Sequence, residues 1–297
     1  MNGGASWQTW IAGKPRDADK RSPGGAGTPT QRDEAGKSPQ TQEKVMTGNV
    51  TPIKAGINFP PSMVKTRTYE AVLRALDRAH GREKMTLIAG APGIGKTKAL
   101  WSYFNANPED CIFYTAHAGE GGVFNLARGL CNQLELKEPT NAGVRRARDD
   151  IAQAIGVGRL LIVDEAQYLV QINPKGSNNP EALEWLRGIS EQGYFGVALV
   201  GDLSLRDTVK TLPQLDRRTH PRVIVEYVPE DDVKALCEAQ NLTNPKIIDL
   251  LWRKARLLGG LGYVSEVLAD ARDMSDTGSP NNSDFMDAIK GFEKGWR

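Results

Sequence analysis

The segment GAPGIGKT at residues 90–97 constrains the fold of this chain more than any other feature. An apolar run, residues 85–89, precedes it, and a segment of helical character follows it. Glycine-rich strand–loop–helix segments with this spacing bind phosphate, because the glycines let successive backbone N–H groups point at one anion. The sequence therefore predicts a P-loop nucleotidase that binds ATP or GTP at the N-terminus of a helix.

Two side chains of this loop carry the predicted chemistry. Lys96 is placed to reach the β- and γ-phosphates, and the hydroxyl of Thr97 is a candidate ligand of Mg²⁺. We expect the whole loop and the next helical residue to contact the nucleotide. The candidate nucleotide-binding residues are Gly90, Ala91, Pro92, Gly93, Ile94, Gly95, Lys96, Thr97 and Lys98, together with Asp164.

A second apolar run, residues 160–163, ends in two acids, Asp164 and Glu165. In a P-loop fold, we expect Asp164 to hold Mg²⁺ opposite Thr97. Glu165 then orients and polarises the water that attacks the γ-phosphate. Adjacent acids at this point favour hydrolysis over kinase chemistry. The predicted activity is an ATPase that yields ADP and phosphate, with Lys96 and Glu165 in the catalytic set.

Asp202 is a further catalytic candidate, because it follows the strand candidate 197–200. A polar side chain at this point can position the attacking water. A third carboxylate beside phosphate is also unfavourable unless a cation offsets it. Both interpretations stay open for Asp202.

Arg217 and Arg218 stand just before the last strand candidate, residues 223–225. An arginine at this point can enter the nucleotide site of a neighbouring subunit and neutralise charge in the transition state. The alternative is an ordinary surface pair bonded to Asp216 or Glu226. The position favours the first interpretation for one of the two arginines.

Apolar runs and amphipathic segments alternate through the middle of the chain. This alternation predicts an α/β fold, a P-loop NTPase with a five-stranded parallel sheet flanked by helices. The strand candidates are 85–89, 111–114, 160–163, 197–200 and 223–225. The helix candidates before residue 229 are 63–80, 96–106, 121–135, 142–155, 180–192 and 203–210, and those after it are 230–239, 245–258, 261–274 and 283–293.

Three regions follow from this pattern: a polar tail (1–60), a nucleotide-binding α/β domain (61–228) and a small helical lid domain (229–297). The tail is dominated by Gly, Pro, Ser, Thr, Gln, Lys and Asp, and it lacks apolar periodicity. We expect it to be disordered, because it cannot bury enough surface to offset its conformational entropy. Its apolar cluster, Trp7, Trp10 and Ile11, is either incidental or a docking peptide.

Composition excludes some classes of protein. The net charge of +2 permits nucleic-acid binding but does not indicate it. The three cysteines and three histidines are dispersed, which argues against a zinc cluster or a disulfide framework. No apolar run is long enough to span a bilayer and no signal peptide is evident. We therefore expect no membrane association and a cytoplasmic location.

These segments together resemble the AAA+ ATPases over roughly residues 60–275. The resemblance rests on the P-loop, the Asp164-Glu165 pair, the polar strand end at Asp202, the arginine pair and the helical lid. Within that superfamily, IVDEAQ at 162–167, VALVGD at 197–202 and LDRR at 215–218 look like the transposition-regulator branch. Secretion ATPases and helicase loaders share much of this pattern.

The resemblance implies an ATP-dependent homo-oligomer, a ring or helical filament, in the cytoplasm of a bacterial host cell. It implies binding to double-stranded DNA without sequence preference, and contact with a transposase. Affinity for DNA that comes from basic side chains falls steeply with salt. The candidate DNA-binding residues are His117 and Gly121, after the second strand, and Arg145, Arg146 and Arg148, on the helix candidate 142–155.

Two alternatives to DNA contact and to transposition stay open. The basic helix is otherwise a solvated face paired with Asp149 and Asp150. A helicase loader or other replication remodeller fits the same site, as does a nucleotide-gated scaffold with little turnover, although Glu165 argues against the latter. Members of the family often carry an arginine at the start of the lid helix. This chain has none there, which leaves Arg253 and Arg256 as substitutes.

Overall fold

The predicted strands form one parallel sheet in the computed structural model, which describes residues 64–140, 143–172, 178–275 and 278–295. The predicted polar tail, with its Trp7 cluster, lies outside these residues. The spatial order of the strands is β2-β3-β6-β1-β7, and every neighbouring pair is parallel. The strands are β1 (Met85–Gly90), β2 (Cys111–Thr115), β3 (Leu160–Asp164), β6 (Gly196–Gly201) and β7 (Thr219–Val225), while β4 (Gln171–Ile172) and β5 (Asn178–Asn179) form a separate antiparallel pair.

Helices connect the strands and make up the C-terminal region. The first seven are α1 (Arg67–Gly81), α2 (Lys96–Ala106), α3 (Val123–Gln133), α4 (Val144–Ile155), α5 (Glu181–Gly193), α6 (Leu203–Lys210) and α7 (Pro213–Arg218). After β7 follow α8 (Glu230–Glu238), α9 (Pro245–Leu258), α10 (Gly260–Met274) and α11 (Asn282–Gly295). The predicted P-loop α/β class is confirmed. Within the described ranges, no helix is long and apolar enough to cross a membrane.

Both faces of the sheet are buried, as the apolar strands require. Successive side chains of a strand point to opposite faces. Leu87 of β1 accordingly packs in the cluster with α3, α4 and α5, and its neighbour Ile88 packs in the cluster with α1 and α2. Leu161 and Ile162 of β3 divide in the same way. Helices on both faces explain why these strands are continuously apolar rather than alternating.

The C-terminal helices pack around an apolar cluster of their own, and Ile94 of the P-loop belongs to it. A second link is made by Asp232 of α8, which is fully buried. Its carboxylate accepts hydrogen bonds from the backbone N–H groups of Arg67 (2.7 Å) and Thr68 (3.2 Å), at the start of α1. The described residues fall in one compact unit. The predicted division at residue 228 stays a prediction.

Three short elements were not predicted: α7, the β4–β5 pair and a 3-10 helix, Ala166–Leu169. Each is too short to show a period in the sequence. Strand β7 also begins earlier than predicted, at Thr219, because its polar first residues join the sheet through backbone bonds to β1.

Candidate nucleotide site

The P-loop lies between the end of β1 and the start of α2. Gly93 and Gly95 have φ values of +72° and +89°, a conformation that side chains with a Cβ rarely adopt. Gly90 is required for a different reason, because a Cβ there would lie 2.7 Å from the carbonyl oxygen of Val225 on β7. The predicted loop is therefore formed, and its glycines permit both the turn and the close approach of β7.

The side chain of Lys96 folds back over the first residues of this loop. Its Nζ donates hydrogen bonds to the carbonyl oxygens of Gly90 (2.8 Å) and Ala91 (3.0 Å). Burial lowers the pKa of the Lys96 ammonium from its ordinary value, and the nearby carboxylates of Glu165 and Asp164 oppose that shift. The cation is thus held beside the place where the loop amides would receive phosphate.

Thr97 and Asp164 meet at the carboxyl edge of the sheet, as predicted. The Thr97 hydroxyl donates to Oδ2 of Asp164 at 3.0 Å, and the backbone N–H of Glu165 donates to Oδ1 at 3.0 Å. Burial raises the pKa of the Asp164 carboxyl, and these two hydrogen bonds counteract the rise. A hydroxyl and a carboxylate beside a phosphate loop are hard oxygen donors, so this pair fits Mg²⁺.

Glu165 follows directly, in a left-handed conformation with φ +55°. Its carboxylate accepts a short hydrogen bond from Nε2 of Gln167, a residue that the sequence did not single out. Oε1 of Gln167 in turn accepts from the backbone N–H of Asp202 at 3.2 Å. Its closeness in sequence to the acid pair, two residues after Glu165, was the one sign that Gln167 belongs to the site.

The Asp202 carboxylate is used to cap α6. It accepts hydrogen bonds from the backbone N–H groups of Ser204 (2.9 Å) and Leu205 (3.4 Å). Asp is a preferred residue at such a cap. Of the two interpretations left open for Asp202, the geometry favours a structural role over direct contact with the attacking water.

A cavity of about 470 Å³ adjoins the phosphate loop. This volume falls in the range of small-molecule sites, roughly 300–1,000 Å³. Its polar end includes Lys96 and Thr97 of the loop, and its apolar lining comes from Val64, Tyr69, Leu236 and Leu261. The sequence did not identify this apolar lining because three segments that are distant in sequence supply it.

The start of α10 touches the P-loop directly. The backbone N–H of Leu261 donates to the carbonyl oxygen of Gly93 at 2.8 Å. A Cβ on Gly93 would lie 2.0 Å from the carbonyl oxygen of Gly259, and a Cβ on Gly260 would lie 2.8 Å from the carbonyl carbon of Gly93. Three glycines thus permit a backbone-to-backbone contact between the lid and the loop.

The proposed substitutes for a lid arginine lie elsewhere. Arg253 forms an ion pair with Asp249 at 2.9 Å. The Arg256 guanidinium stacks over Tyr227, 4.9 Å from the ring centroid. Neither arginine lines the cavity beside the P-loop. Both side chains thus have partners away from the cavity, and the suggestion that Arg253 or Arg256 replaces the lid arginine stays untested.

The arginine pair lies at the end of the sheet where β1 and β7 begin, opposite to the end that carries the P-loop. Arg217 and Arg218 end α7, directly before Thr219, which pairs with Met85 at the start of β1. The P-loop follows the other end of β1, about 20 Å along the strand at ~3.3 Å per residue. Arg218 forms an ion pair with Glu191 at 3.1 Å. Arg217 is exposed, and no partner for its side chain is found in the described part of the chain.

The predicted DNA-binding residues differ in how exposed their side chains are. Arg145 and Arg146 of α4 are exposed, and Arg146 lies 4.0 Å from Asp150. Arg148 is a correction: its guanidinium packs against α5 and donates to the carbonyl oxygen of Gly188 at 2.9 Å. A residue three positions from Arg145 on a helix with a buried face can point inward, and the basic run did not reveal this.

The other predicted DNA-facing segment is the loop between β2 and α3. His117 is exposed there. Gly121 instead approaches the chain's own backbone, because a Cβ would lie 3.1 Å from Gln171 and from the carbonyl oxygen of Tyr168. The close approach predicted for this glycine is therefore to β4 and the 3-10 helix. His117 remains the side chain of this loop that is free to meet a ligand surface.

The chain is similar in sequence to several known proteins. Residues 78–209 match the family model described as an AAA domain. The chain is 25% identical over 240 residues to the ATP-dependent target DNA activator B of Escherichia phage Mu, covering 76% of this chain and 72% of that protein. It is 22% identical over 217 residues to the Mu-like prophage FluMu DNA transposition protein B of Haemophilus influenzae, covering 70% and 72%.

Solved structures show the same fold. The chain aligns with the ORC1 protein of Aeropyrum pernix, solved in complex with DNA, with a TM-score of 0.53, 15% identity and coverage of 84% of this chain and 68% of that one. The ORC2 protein of the same organism aligns with a TM-score of 0.53 and 17% identity, and the alignment covers 79% of this chain and 69% of that one. The chain therefore has the P-loop fold of the AAA+ proteins, matches an AAA domain over residues 78–209, and is similar in sequence to the phage transposition proteins.

Proposed function

We propose that this protein is an ATP-hydrolysing regulator of DNA transposition that assembles on double-stranded DNA. The observation that carries the proposal is the meeting of Lys96, Thr97, Asp164 and Glu165 at one edge of the sheet. Relatives named as target DNA activators supply the process in which such a site would act.

The nucleotide is bound by two parts of the same cavity. The loop amides and Lys96 receive the phosphates, and the apolar lining with Tyr69 and Leu236 receives the base. Thr97 and Asp164 would hold Mg²⁺, which neutralises phosphate charge when bound. ATP rather than GTP is the proposed substrate.

Glu165 is the proposed base. It lines the nucleotide cavity beside Lys96. Its carboxylate accepts a proton from a water whose oxygen forms a bond to the γ-phosphorus, while the bond between that phosphorus and the bridging oxygen of ADP breaks. The products are ADP and inorganic phosphate. Lys96 stabilises negative charge on the phosphate oxygens during this transfer.

A neighbouring subunit completes the site. The arginine pair precedes β7 at the end of the sheet opposite the P-loop of its own chain, which supports assigning it to the nucleotide of another copy. An arginine finger supplied in this way accelerates phosphoryl transfer by roughly 10³–10⁵-fold. ATP then promotes assembly, and hydrolysis promotes disassembly.

DNA contact is proposed for the exposed cations of α4, Arg145 and Arg146, and for His117. Phosphate contacts by such side chains carry no sequence information, so binding to duplex is sequence-independent. The oligomer on DNA is the proposed surface for a transposase. With DNA and a transposase as its partners, the proposed location is the cytoplasm of a bacterial host cell.

Phosphate release and electron microscopy with random-sequence duplex test the proposal. We expect ATP turnover that the duplex stimulates, and DNA-coated rings or filaments with a non-hydrolysed ATP analogue at low salt. Turnover should vanish in K96A, which ties the activity to this site. Turnover without duplex binding would instead favour a replication remodeller with a protein client. Nucleotide binding without turnover would favour a nucleotide-gated scaffold.

A further inference from the structure

Gln167 lies between the acid pair and the end of β6. The left-handed turn at Glu165 ends β3 and starts the 3-10 helix, Ala166–Leu169. The side chain of Gln167 consequently points back toward the end of the sheet rather than into solvent. Gln167 is partly buried there.

The two ends of the Gln167 amide have different partners. Nε2 donates a short hydrogen bond to Oε2 of Glu165, and Oε1 accepts from the backbone N–H of Asp202 at 3.2 Å. A carboxylate can only accept here and a backbone N–H can only donate, so these partners fix which end is nitrogen and which is oxygen. The side chain is therefore held at both ends.

Gly201 makes room for this amide. A Cβ at position 201 would lie 2.3 Å from Oε1 of Gln167 and 2.9 Å from Cδ2 of Leu205. The backbone at Gly201 has no positive φ, so space is the reason for glycine at this position. A side chain at position 201 would therefore displace the amide of Gln167 from this position.

The hydrogen bond from Gln167 restricts the carboxylate of Glu165. One carboxylate oxygen, Oε2, is tied to Gln167, and the carboxylate also lines the nucleotide cavity. A tied carboxylate loses rotational freedom and presents its other oxygen in one direction. Placement of a base matters greatly, because a misplacement of about 1 Å can cost roughly 10²-fold in rate.

We propose that Gln167 is a positioning residue for Glu165, which it anchors to the end of β6 so that the free carboxylate oxygen faces the attacking water. The proposal rests on the ATPase function proposed above. Gln167 itself touches neither the nucleotide nor the water. It acts through Glu165 alone.

The test compares Q167L, which keeps similar bulk but removes both hydrogen bonds, with the wild-type protein. We expect kcat for ATP hydrolysis to fall about 10- to 100-fold, while KM and the affinity for an ATP analogue change by less than about threefold. The exposed Gln153 on α4 supplies the control, since Q153L makes the same chemical change away from the site. Thermal unfolding of each variant shows whether Q167L is folded.

A double-mutant cycle separates positioning from general damage. In an E165Q background, single-turnover hydrolysis should fall no further when Q167L is added, because a residue that acts through Glu165 has nothing left to position. G201A should reproduce the Q167L loss, and G201A with Q167L should be no worse than either alone. A further loss in the E165Q background, or full kcat in Q167L, would overturn the proposal. Absence of turnover in the wild-type protein would instead refute the ATPase function.

Discussion

At the scale of single residues, the carboxylate of Glu165 decides between an enzyme and a switch. Asp164 is buried and already bonded to Thr97, so it is suited to hold a metal ion and not to move a proton. Glu165 has one tied oxygen and faces the cavity that Lys96 enters. The different environments of the two neighbouring acids therefore suit the separate tasks proposed for them.

Replacing Glu165 by Gln should separate binding from hydrolysis. E165Q keeps the shape and the contact with Gln167 but removes the base, so phosphate release should fall about 10²–10⁴-fold. Affinity for an ATP analogue should change by less than about threefold, and complexes with duplex should persist longer in the presence of ATP.

Glu135 offers a matched control for that variant. It is exposed and has a φ of +55°, the same left-handed value as Glu165. E135Q changes charge by the same amount at a comparable backbone position, and it should hydrolyse ATP at the wild-type rate. Wild-type turnover in E165Q would remove Glu165 from the mechanism.

Residue-scale predictions from the sequence succeeded where one motif supplies both residue type and location. The positions of the loop glycines and of Lys96 followed from the spacing within the P-loop. The contact between Thr97 and Asp164 followed from two motifs, each of which stands at the end of a strand of the same parallel sheet. Arg148 was misplaced because a basic run does not show which helix face is buried. Gln167 was overlooked because its role depends on Gly201, which is distant in sequence.

At the scale of secondary-structure elements, the start of α10 contacts the P-loop and so joins the C-terminal helices to the proposed phosphate site. The backbone N–H of Leu261 holds the carbonyl of Gly93, and Ile94 of the loop packs in the lid's apolar cluster. A movement of α10 would therefore disturb its contact with the loop that is proposed to receive phosphate. The alternation of strands and helices predicted these elements, but not which helix end meets the loop, because that contact joins residues far apart in sequence.

Replacing Gly260 by Ala should disturb this contact. Its φ is +71°, and a Cβ would lie 2.8 Å from the carbonyl carbon and oxygen of Gly93. Left-handed strain and overpacking together should cost about 2 kcal/mol. This corresponds to a decrease in Tm of roughly 4–8 °C. Nucleotide affinity should also fall, by about tenfold if the loop loses 1.4 kcal/mol of binding.

Gly262, one turn into the same helix, is the control for stability. A Cβ there would have no neighbour within 4 Å, and its φ is not positive. G262A should leave Tm unchanged or raise it slightly, since Ala is favoured over Gly within a helix. Differential scanning calorimetry of both variants checks the prediction, and equal Tm values for G260A and the wild-type protein would contradict it.

At the scale of the whole molecule, the net charge of +2 does not show how charged side chains are distributed over the surface. Arg145 and Arg146 are exposed on α4, and Arg146 has only a long, exposed ion pair with Asp150. Surface ion pairs of this kind stabilise a fold by about 0–1 kcal/mol, so these cations are available to phosphate. A DNA surface is thus compatible with a nearly neutral chain.

Removing these two cations should weaken DNA binding in a salt-dependent way. R145A/R146A should lower the slope of log K against log salt by about 2, roughly 1 per lost phosphate contact. The control is R74A/R78A, which removes two exposed arginines from α1, on the other face of the sheet. Fluorescence anisotropy with random duplex at several salt concentrations measures both, and equal slopes would move the DNA surface elsewhere.

A nucleotide site shared between two copies is the proposed property that only an assembly could have. Arg217 and Arg218 stand about 20 Å from their own P-loop at ~3.3 Å per strand residue. Arg218 is engaged by Glu191, whereas no partner for the Arg217 side chain is found in the described ranges. Arg217 is therefore the stronger candidate for the finger that enters a neighbour's site.

Mixing two inactive variants tests that assignment. R217A should lose about 10³-fold in hydrolysis, with a smaller loss in R218A. E165Q is the suitable partner because it still binds ATP and can assemble. An R217A subunit supplies an intact Glu165, and an E165Q neighbour supplies Arg217, so a random equimolar oligomer contains about a quarter of repaired interfaces. ATPase activity of the mixture well above either variant alone shows a site built from two copies. A mixture no more active than its components would place the finger elsewhere or restrict each site to one chain.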